Sequence, residues 1–166
     1  ELAKQGHIVS ADLRGSKADL WDGGHRIPFI VKWPGRVKPG AQSDQLICLT
    51  DLFSTMSDLL GQKLPQNGGE DSVSFLPALY GKKIVSTRKG VIHHSISGHF
   101  AYRQGPWKLL LAKASGGWTS PNERQAPAGS SVGQLYNMST DLGEKKNLYK
   151  EKPEMVASLL ALLEKD

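Results

Sequence analysis

Residues 13–35 stand out because several side chains in this glycine-rich segment could bind an anion. The segment contains Gly15, Gly23 and Gly24 and leads directly into the apolar run Ile27-Pro28-Phe29-Ile30-Val31-Lys32-Trp33. Loops joined to strand ends in α/β sheets are frequent ligand sites, and a group of cations favours an anionic ligand. The candidate cations are Arg14, Lys17, His25 and Arg26. From the residues alone, the segment is either an anion-binding loop or a purely structural one.

Other motifs that would carry chemistry are absent from the sequence. It has no His-Glu-x-x-His, no paired Cys-x-x-Cys and no Gly-x-Ser-x-Gly. His93 and His94 are adjacent, so on a strand they would point to opposite faces and could not share one metal ion. We expect Asp141 and Glu144 to lie on the solvated surface. Cys48 is the single cysteine, so no internal disulfide can form.

Length and charge limit the function classes. The chain has 166 residues, which suits one domain, or a small domain with part of another. The net charge of +5 fits anionic partners, but the basic residues are scattered, so nucleic-acid binding is not predicted. No apolar run approaches the ~18–20 residues that cross a bilayer, so no membrane partner is expected. The first residues resemble a helix already under way, and we interpret the sequence as a fragment.

The hydrophobic pattern predicts two kinds of structure along the chain. Residues 1–81 are typical of the C-terminal part of an α/β domain, and residues 82–166 of a small subdomain with an antiparallel sheet and one helix. The predicted elements are a helical turn over 1–6, a strand at 27–33, a helix from Thr50 or Asp51 to Leu60, a helical turn at 74–80, a strand at 90–95, a hairpin around Gln104-Gly105-Pro106, a strand at 134–138 and a helix from Pro153.

The glycine-rich segment resembles the sulfatase signature Gly-x-Lys, four residues, Glu-Gly-Gly, x-Arg-x-Pro and Trp-Pro-Gly. This chain has Gly15-Ser16-Lys17, Asp22-Gly23-Gly24, Arg26, Pro28 and Trp33-Pro34-Gly35, with Asp22 in place of the glutamate. Later segments resemble further sulfatase motifs in the same order, among them Arg103-Gln104-Gly105-Pro106-Trp107-Lys108-Leu109, Gln134-Leu135-Tyr136-Asn137 and Asp141-Leu142-Gly143-Glu144 to Leu148. The chain is therefore similar to the C-terminal portion of formylglycine-dependent, arylsulfatase-type enzymes of the alkaline-phosphatase-like superfamily.

The resemblance implies a fold, a chemistry and a set of site residues. The fold is the end of the alkaline-phosphatase-like domain followed by the small antiparallel subdomain. Sulfatases hydrolyse sulfate esters with a formylglycine nucleophile and a calcium ion, and neither the nucleophile motif nor the calcium ligands are found in this sequence. Lys17 matches the lysine that reaches the sulfate and the leaving oxygen, so it is the predicted catalytic residue. The predicted substrate-binding residues are His25, His93, His94 and Trp118.

The functional prediction is a fragment of a sulfatase that acts on sulfate esters, with sulfated carbohydrate as the expected substrate, and that is inactive by itself. Two alternatives stay open: a stand-alone module that binds anionic glycans, and a phosphate or phosphonate monoester hydrolase of the same superfamily. The family resemblance implies a periplasmic or secreted protein. If sheet neighbours are missing, we also expect self-association through exposed sheet surfaces.

Overall fold

The structure, a computed structural model, describes residues 2–84 and 88–165 of the chain. A 3₁₀ helix, Leu2–Gln5, confirms the helical turn predicted near the start, although Glu1 lies outside the described residues. The helices are α1 (Asp22–His25), α2 (Asp51–Leu59), α3 (Leu76–Leu79) and α4 (Pro153–Leu163); the strands are β1 (Val91–His94), β2 (Phe100–Gln104), β3 (Trp107–Leu110) and β4 (Gln134–Asn137). None of the helices in the described ranges has the length and apolar character needed to cross a bilayer.

The chain divides into two compact units, and one of them combines two separate stretches of the sequence. One unit consists of Glu1–Pro28 with Ile92–Asp166, and the other of Phe29–Val91. The first residues of the chain therefore group with the C-terminal half. The domain boundary between residues 81 and 82 concerns the organisation of a longer protein and stays a prediction.

A four-stranded sheet in the order β1-β2-β3-β4 organises the larger unit. Strands β2 and β3 are antiparallel, with Gln104 opposite Trp107, and they flank a turn in which Gly105 has a φ of 51°. Glycine adopts this left-handed backbone conformation without the steric cost that a side chain brings. Strand β4 pairs with β3 in the same antiparallel sense. The predicted hairpin and the strands predicted near residues 90–95 and 134–138 are confirmed.

Both faces of this sheet are covered, because successive side chains on each strand point in opposite directions. One face packs on α4 and contains Tyr102, Leu109, Leu135, Val156 and Leu159. The other packs on residues 20 and 21 and contains Leu20, Trp21, Ala101, Leu110, Ala112, Tyr136 and Met138. The predicted C-terminal helix thus covers one face, and the segment that follows Lys17 covers the other.

The smaller unit is built around a buried carboxylate at the start of α2. Asp51 is 0% exposed and accepts hydrogen bonds from the backbone N–H groups of Cys48 at 2.8 Å and Val73 at 2.9 Å. The guanidinium of Arg88 donates to both of its oxygens, at 2.7 and 2.9 Å. Cys48 is half-buried, and its sulfur lies 3.3 Å from the Arg88 guanidinium. Asp51 therefore ties together three segments distant in sequence.

The apolar side of α2 is exposed, in contrast to the usual inward orientation of such a face. Leu52, Phe53, Met56 and Leu59 are each at least 37% exposed, whereas Ser54 and Thr55 are buried. Leu52, Met56 and Leu59 line an open cavity of about 260 Å³ together with Phe29, Val31, Trp33, Phe75, Leu76 and Leu79. Self-association through such surfaces stays a prediction.

Residues 27–33 form no strand in the described part of the chain, so the prediction of a strand there is wrong. Ile30 is 90% exposed and Ile27 is 57% exposed. A strand requires a neighbour to pair its N–H and C=O groups, and an isolated extended segment is not stable by itself. The apolar residues of this segment favour burial, but the described residues supply no strand beside it.

Candidate functional site

Two glycines close the signature loop, residues 14–26, on itself. The N–H of Gly23 donates to the carbonyl of Arg14 at 2.8 Å, and a Cβ at Gly23 would lie 2.3 Å from the carbonyl oxygen of Gly15. A Cβ at Gly24 would lie 2.5 Å from the carbonyl oxygen of Asp19. No side chain fits at such distances, which explains why both positions are glycine. The loop that carries Lys17 is therefore closed by direct backbone contact.

A buried ion cluster, Asp22, Lys108 and Glu144, anchors this loop to the sheet. Lys108 on β3 is 0% exposed, and its Nζ lies 2.6 Å from Asp22 Oδ1 and 2.9 Å from Glu144 Oε1. Glu144 Oε2 accepts the backbone N–H of Asp22 at 2.6 Å. On its outer side, Asp22 Oδ2 lies 3.0 Å from Arg26 Nε and 3.8 Å from Arg103 Nη1. The cluster joins the loop, the hairpin and the segment before α4.

The pKa values of the two carboxyl groups in the cluster are shifted in opposite directions. Burial by itself would raise the pKa of Asp22, but Lys108, Arg26 and Arg103 outweigh it and the pKa is lowered. Burial raises the pKa of Glu144 even though Lys108 and the Asp22 N–H act against it. The Lys108 contact with Glu144 Oε1 is an ion pair without hydrogen-bond alignment, because this oxygen has no aligned donor among the described residues. Glu144 therefore depends on Lys108 more strongly than Asp22 does.

The cluster corrects one sequence-based expectation and adds a residue that sequence reasoning missed. Glu144 was expected on the solvated surface, but it is 0% exposed because its carboxylate pairs with Lys108 inside the unit. Lys108 lies in the hairpin motif, but the motif by itself assigns it no role. A signal was present, since a lysine within the apolar run Trp107 to Leu111 must either reach solvent or find a buried partner.

Arg14, one of the four candidate cations, has a structural position. Its guanidinium carbon lies 3.7 Å from the ring centroid of Trp21, and Nη1 donates to the carbonyl of Glu144 at 2.8 Å. Nη1 also lies 3.3 Å from the hydroxyl of Tyr136, whose pKa burial raises to about 12. Arg26 is likewise paired with Asp22, with its Nε 3.0 Å from Asp22 Oδ2. Of the four cations, Lys17 and His25 remain as candidates for contact with a ligand.

His25 and His93 lie against each other at the end of the signature loop. Their ring centroids are 4.0 Å apart with an interplanar angle of 51°. Burial, aided by the charge of Lys108, lowers the pKa of His25 and lowers that of His93 to about 3. Nε2 of His93 lies 3.4 Å from the carbonyl of Leu20, whereas the buried Nε2 of His25 has no hydrogen-bond partner among the described residues. Both rings are therefore neutral at pH 7.

His94 points to the opposite side of β1 from His93, in line with strand alternation. It is exposed, and its Nδ1 lies 2.9 Å from the carbonyl of Ser95. Its ring lies 6.1 Å from the ring of Phe100. The structure therefore brings His25 and His93 together and separates His94 from them.

Lys17 and Trp118 lie on two loops of the larger unit that are in contact with each other. Lys17 is exposed, and Trp118 is 66% exposed. Their neighbours Ser16 and Thr119 are linked by a hydrogen bond of 3.0 Å between the two hydroxyl oxygens. Two of the predicted site residues, a cation and a large aromatic ring, thus flank one contact between the signature loop and the loop at 114–123. The roles of all five predicted site residues stay predictions.

Comparison with known proteins identifies the family. Residues 16–115, more than half of the chain, match the family described as N-sulphoglucosamine sulphohydrolase, C-terminal. An N-acetylgalactosamine-6-O-sulfatase of Bacteroides thetaiotaomicron is 36% identical over 165 residues, which are 96% of this chain and 30% of that protein. Arylsulfatase G of Rattus norvegicus is 31% identical over 150 residues, which are 84% of this chain and 27% of that protein.

A solved structure agrees with these relatives over nearly the whole chain. It comes from work on glycosaminoglycan metabolism by Bacteroides thetaiotaomicron and superposes with a TM-score of 0.81 at 34% identity. The match covers 98% of this chain and 33% of that one, so the chain spans about a third of the length of such proteins. The chain belongs to the N-sulphoglucosamine sulphohydrolase C-terminal family and corresponds to the C-terminal portion of a sulfatase.

Proposed function

We propose that a longer protein containing this chain hydrolyses sulfate esters of carbohydrates, and that the chain alone is inactive. The observation that carries the proposal is the exposed Lys17 on a loop closed by Gly23 and Gly24, within residues that match a sulfatase family. A compact ammonium on a fixed loop can stabilise negative charge on a sulfate group and on the leaving oxygen, with little reorganisation during reaction. Lys17 is the catalytic residue in this proposal.

The nucleophile and the metal would come from other residues of the longer protein. Cys48 is followed by Leu49, Thr50, Asp51 and Leu52, which does not match the Cys-x-Pro-x-Arg motif in which formylglycine forms. No three His, Cys, Asp or Glu side chains within residues 2–84 and 88–165 converge on a point where they could hold a metal ion. The described residues therefore do not by themselves fit a calcium site.

The four predicted substrate-binding residues would have two different roles, because their surroundings differ. His25 and His93 are neutral at pH 7 because of their lowered pKa values, so they would contribute hydrogen bonds and shape rather than charge. His94 and Trp118 are exposed and would meet the part of the substrate that projects from the sulfate. The named activities of relatives on sulfated amino sugars support a carbohydrate sulfate ester as substrate. A periplasmic or secreted location fits such extracellular glycans.

Sulfate release by the full-length protein from a panel of sulfated sugars tests the proposal. We expect Lys17→Ala to lower kcat/KM by about 10²–10³-fold, as loss of one group that stabilises transition-state charge does. Lys113→Ala, which removes another exposed lysine of the same unit, is the control and should retain activity. Release of phosphate but not sulfate from monoesters would favour the phosphate hydrolase alternative. Binding of sulfated glycans without turnover by the full-length protein would favour the binding module.

A further inference from the structure

Trp118 combines high exposure with a backbone that is firmly held. The loop at 114–123 places its indole at 66% exposure. The N–H groups of Trp118 and Thr119 both donate to Asp19 Oδ1, at 2.9 and 3.0 Å, and Asp19 itself is 0% exposed. A Cβ at Gly117 would lie 2.4 Å from the carbonyl oxygen of Ala18, so the two loops are in backbone contact. The indole therefore projects into solvent from a fixed base.

A second carboxylate holds the base of the same loop. The side chain of Glu123 accepts the backbone N–H groups of Lys113 at 2.9 Å, Ala114 at 2.8 Å and Gly116 at 3.3 Å. Three hydrogen bonds to one carboxyl group restrain the chain immediately before Trp118. An aromatic ring presented in this way loses little conformational entropy when a ligand stacks on it, because few torsions remain to be fixed.

The surroundings of Trp118 match a ligand that is both apolar and anionic. Lys17 is one residue from Ser16, whose hydroxyl contacts Thr119 at 3.0 Å. Ile96, which is 61% exposed, is held to the same loop because its N–H donates to the carbonyl of Ala18 at 3.0 Å. Two exposed apolar side chains, Trp118 and Ile96, are therefore carried by segments that contact the loop of the exposed Lys17. Sugar rings present apolar C–H faces, and a sulfate substituent supplies the charge that Lys17 attracts.

We propose that Trp118 is a stacking platform that binds a sugar ring of a sulfated glycan while Lys17 contacts the sulfate group. The inference rests on the proposed function and adds to it a specific way of recognising the carbohydrate. In this proposal the exposed indole contacts the ligand and does not pack within the protein. Ile96 is a second exposed apolar side chain on a segment that contacts the same loop.

Calorimetric titration of the full-length protein tests this role. The probes are inorganic sulfate, a panel of sulfated oligosaccharides from chondroitin sulfate, heparan sulfate and carrageenan, and the same oligosaccharides after chemical desulfation. We expect Trp118→Ala to weaken oligosaccharide binding by roughly 10- to 100-fold, which corresponds to lost burial of a large apolar side chain. The loss for inorganic sulfate should be at least tenfold smaller. Trp118→Phe should restore most of the affinity, because it keeps a flat ring.

Val132→Ala is the matched control, because Val132 is also apolar and is 69% exposed. Equal losses for Trp118→Ala and Val132→Ala would overturn the proposal. So would a Trp118→Ala protein that melts at lower temperature and binds the oligosaccharides as tightly as the wild type, since Trp118 would then pack within the protein. If the wild type binds none of the oligosaccharides but releases sulfate from a small aryl sulfate, the stacking role of Trp118 is refuted, whereas sulfate-ester hydrolysis itself is supported. If Lys17→Ala leaves sulfate binding and sulfate release unchanged, the proposed function itself falls.

Discussion

Replacing Lys108 with methionine removes the cation that compensates Glu144 and keeps a side chain of similar length. Glu144 is 0% exposed and would retain the N–H of Asp22, at 2.6 Å, as its hydrogen-bond donor. Removing one partner of a buried ion pair and leaving the other charge costs about 3–5 kcal/mol. Asp22 suffers less, because Arg26 remains 3.0 Å away. We therefore expect a loss of about 3–5 kcal/mol in the free energy of unfolding at neutral pH, with Glu144 as its main source.

Urea unfolding of four proteins separates this charge effect from simple loss of packing. The set is the wild type, Lys108→Met, Glu144→Gln and the double variant. In the double variant no unpaired charge is left at Glu144, so it should be more stable than Lys108→Met by about 1–3 kcal/mol, within the range measured for coupled neighbours. If the double variant is no more stable than Lys108→Met, the cost lies in packing and the argument fails.

The pH dependence of the Lys108→Met deficit provides a second check. Burial raises the pKa of Glu144 in the folded protein, and loss of Lys108 removes an influence that lowers it. The unfolded chain has a glutamate pKa of about 4.3. Between that value and the raised folded pKa, the folded variant binds a proton that the unfolded chain does not, so stability falls as pH rises. The deficit should be largest at neutral pH and shrink towards pH 4; a deficit of constant size would refute the reasoning.

Two further substitutions test the close backbone packing and the buried carboxylate of the smaller unit. Gly23→Ala places a Cβ 2.3 Å from a backbone oxygen, and we expect it to lower the free energy of unfolding by about 3 kcal/mol. Gly129→Ala meets no atom within 4 Å and should lose only about 1–2 kcal/mol from its φ of 78°, so equal losses in urea unfolding would contradict the steric explanation. Asp51→Asn should cost about 2–3 kcal/mol at neutral pH, because it removes an ionised acceptor of two bonds from Arg88. Burial would raise the pKa of Asp51, but Arg88 and two backbone N–H groups lower it, so this contribution is present above the unfolded value of about 3.9 and is lost as pH falls through the folded pKa. Thermal unfolding of the two proteins should converge in acid, and a gap that persists would count against the assignment.

Elements with local signals were predictable from the sequence. Two runs rich in apolar residues on either side of Gly105-Pro106 predict the hairpin of β2 and β3. In the observed register Gln104 pairs with Trp107, so the turn lies at these two residues. Helix α4 begins at Pro153, a residue favoured in the first helical turn, and its apolar face packs on the sheet as expected. These elements form because neighbouring residues specify both the backbone conformation and the buried face.

Elements that depend on distant partners were not predictable in the same way. The apolar pattern over residues 27–33 is typical of a buried strand, yet the described residues contain no strand to pair with it. The spacing of Leu52, Met56 and Leu59 is typical of a helix side that faces a core, yet these side chains are exposed while Thr55 is buried. A hydrophobic pattern states which side chains favour burial and carries no information about which surface covers them.

The sequence by itself determined the family resemblance, the position of Lys17 in the signature loop and the glycines that close that loop. These properties depend on residue identity and short spacing, which can be read directly from a chain. Only the tertiary structure decided that Lys108 and Glu144 meet Asp22, that His25 lies on His93, and that Trp118 stands next to the Lys17 loop. Each of these contacts joins residues far apart in sequence, and the geometry of the folded sheet and its covering loops brings them within a few ångströms.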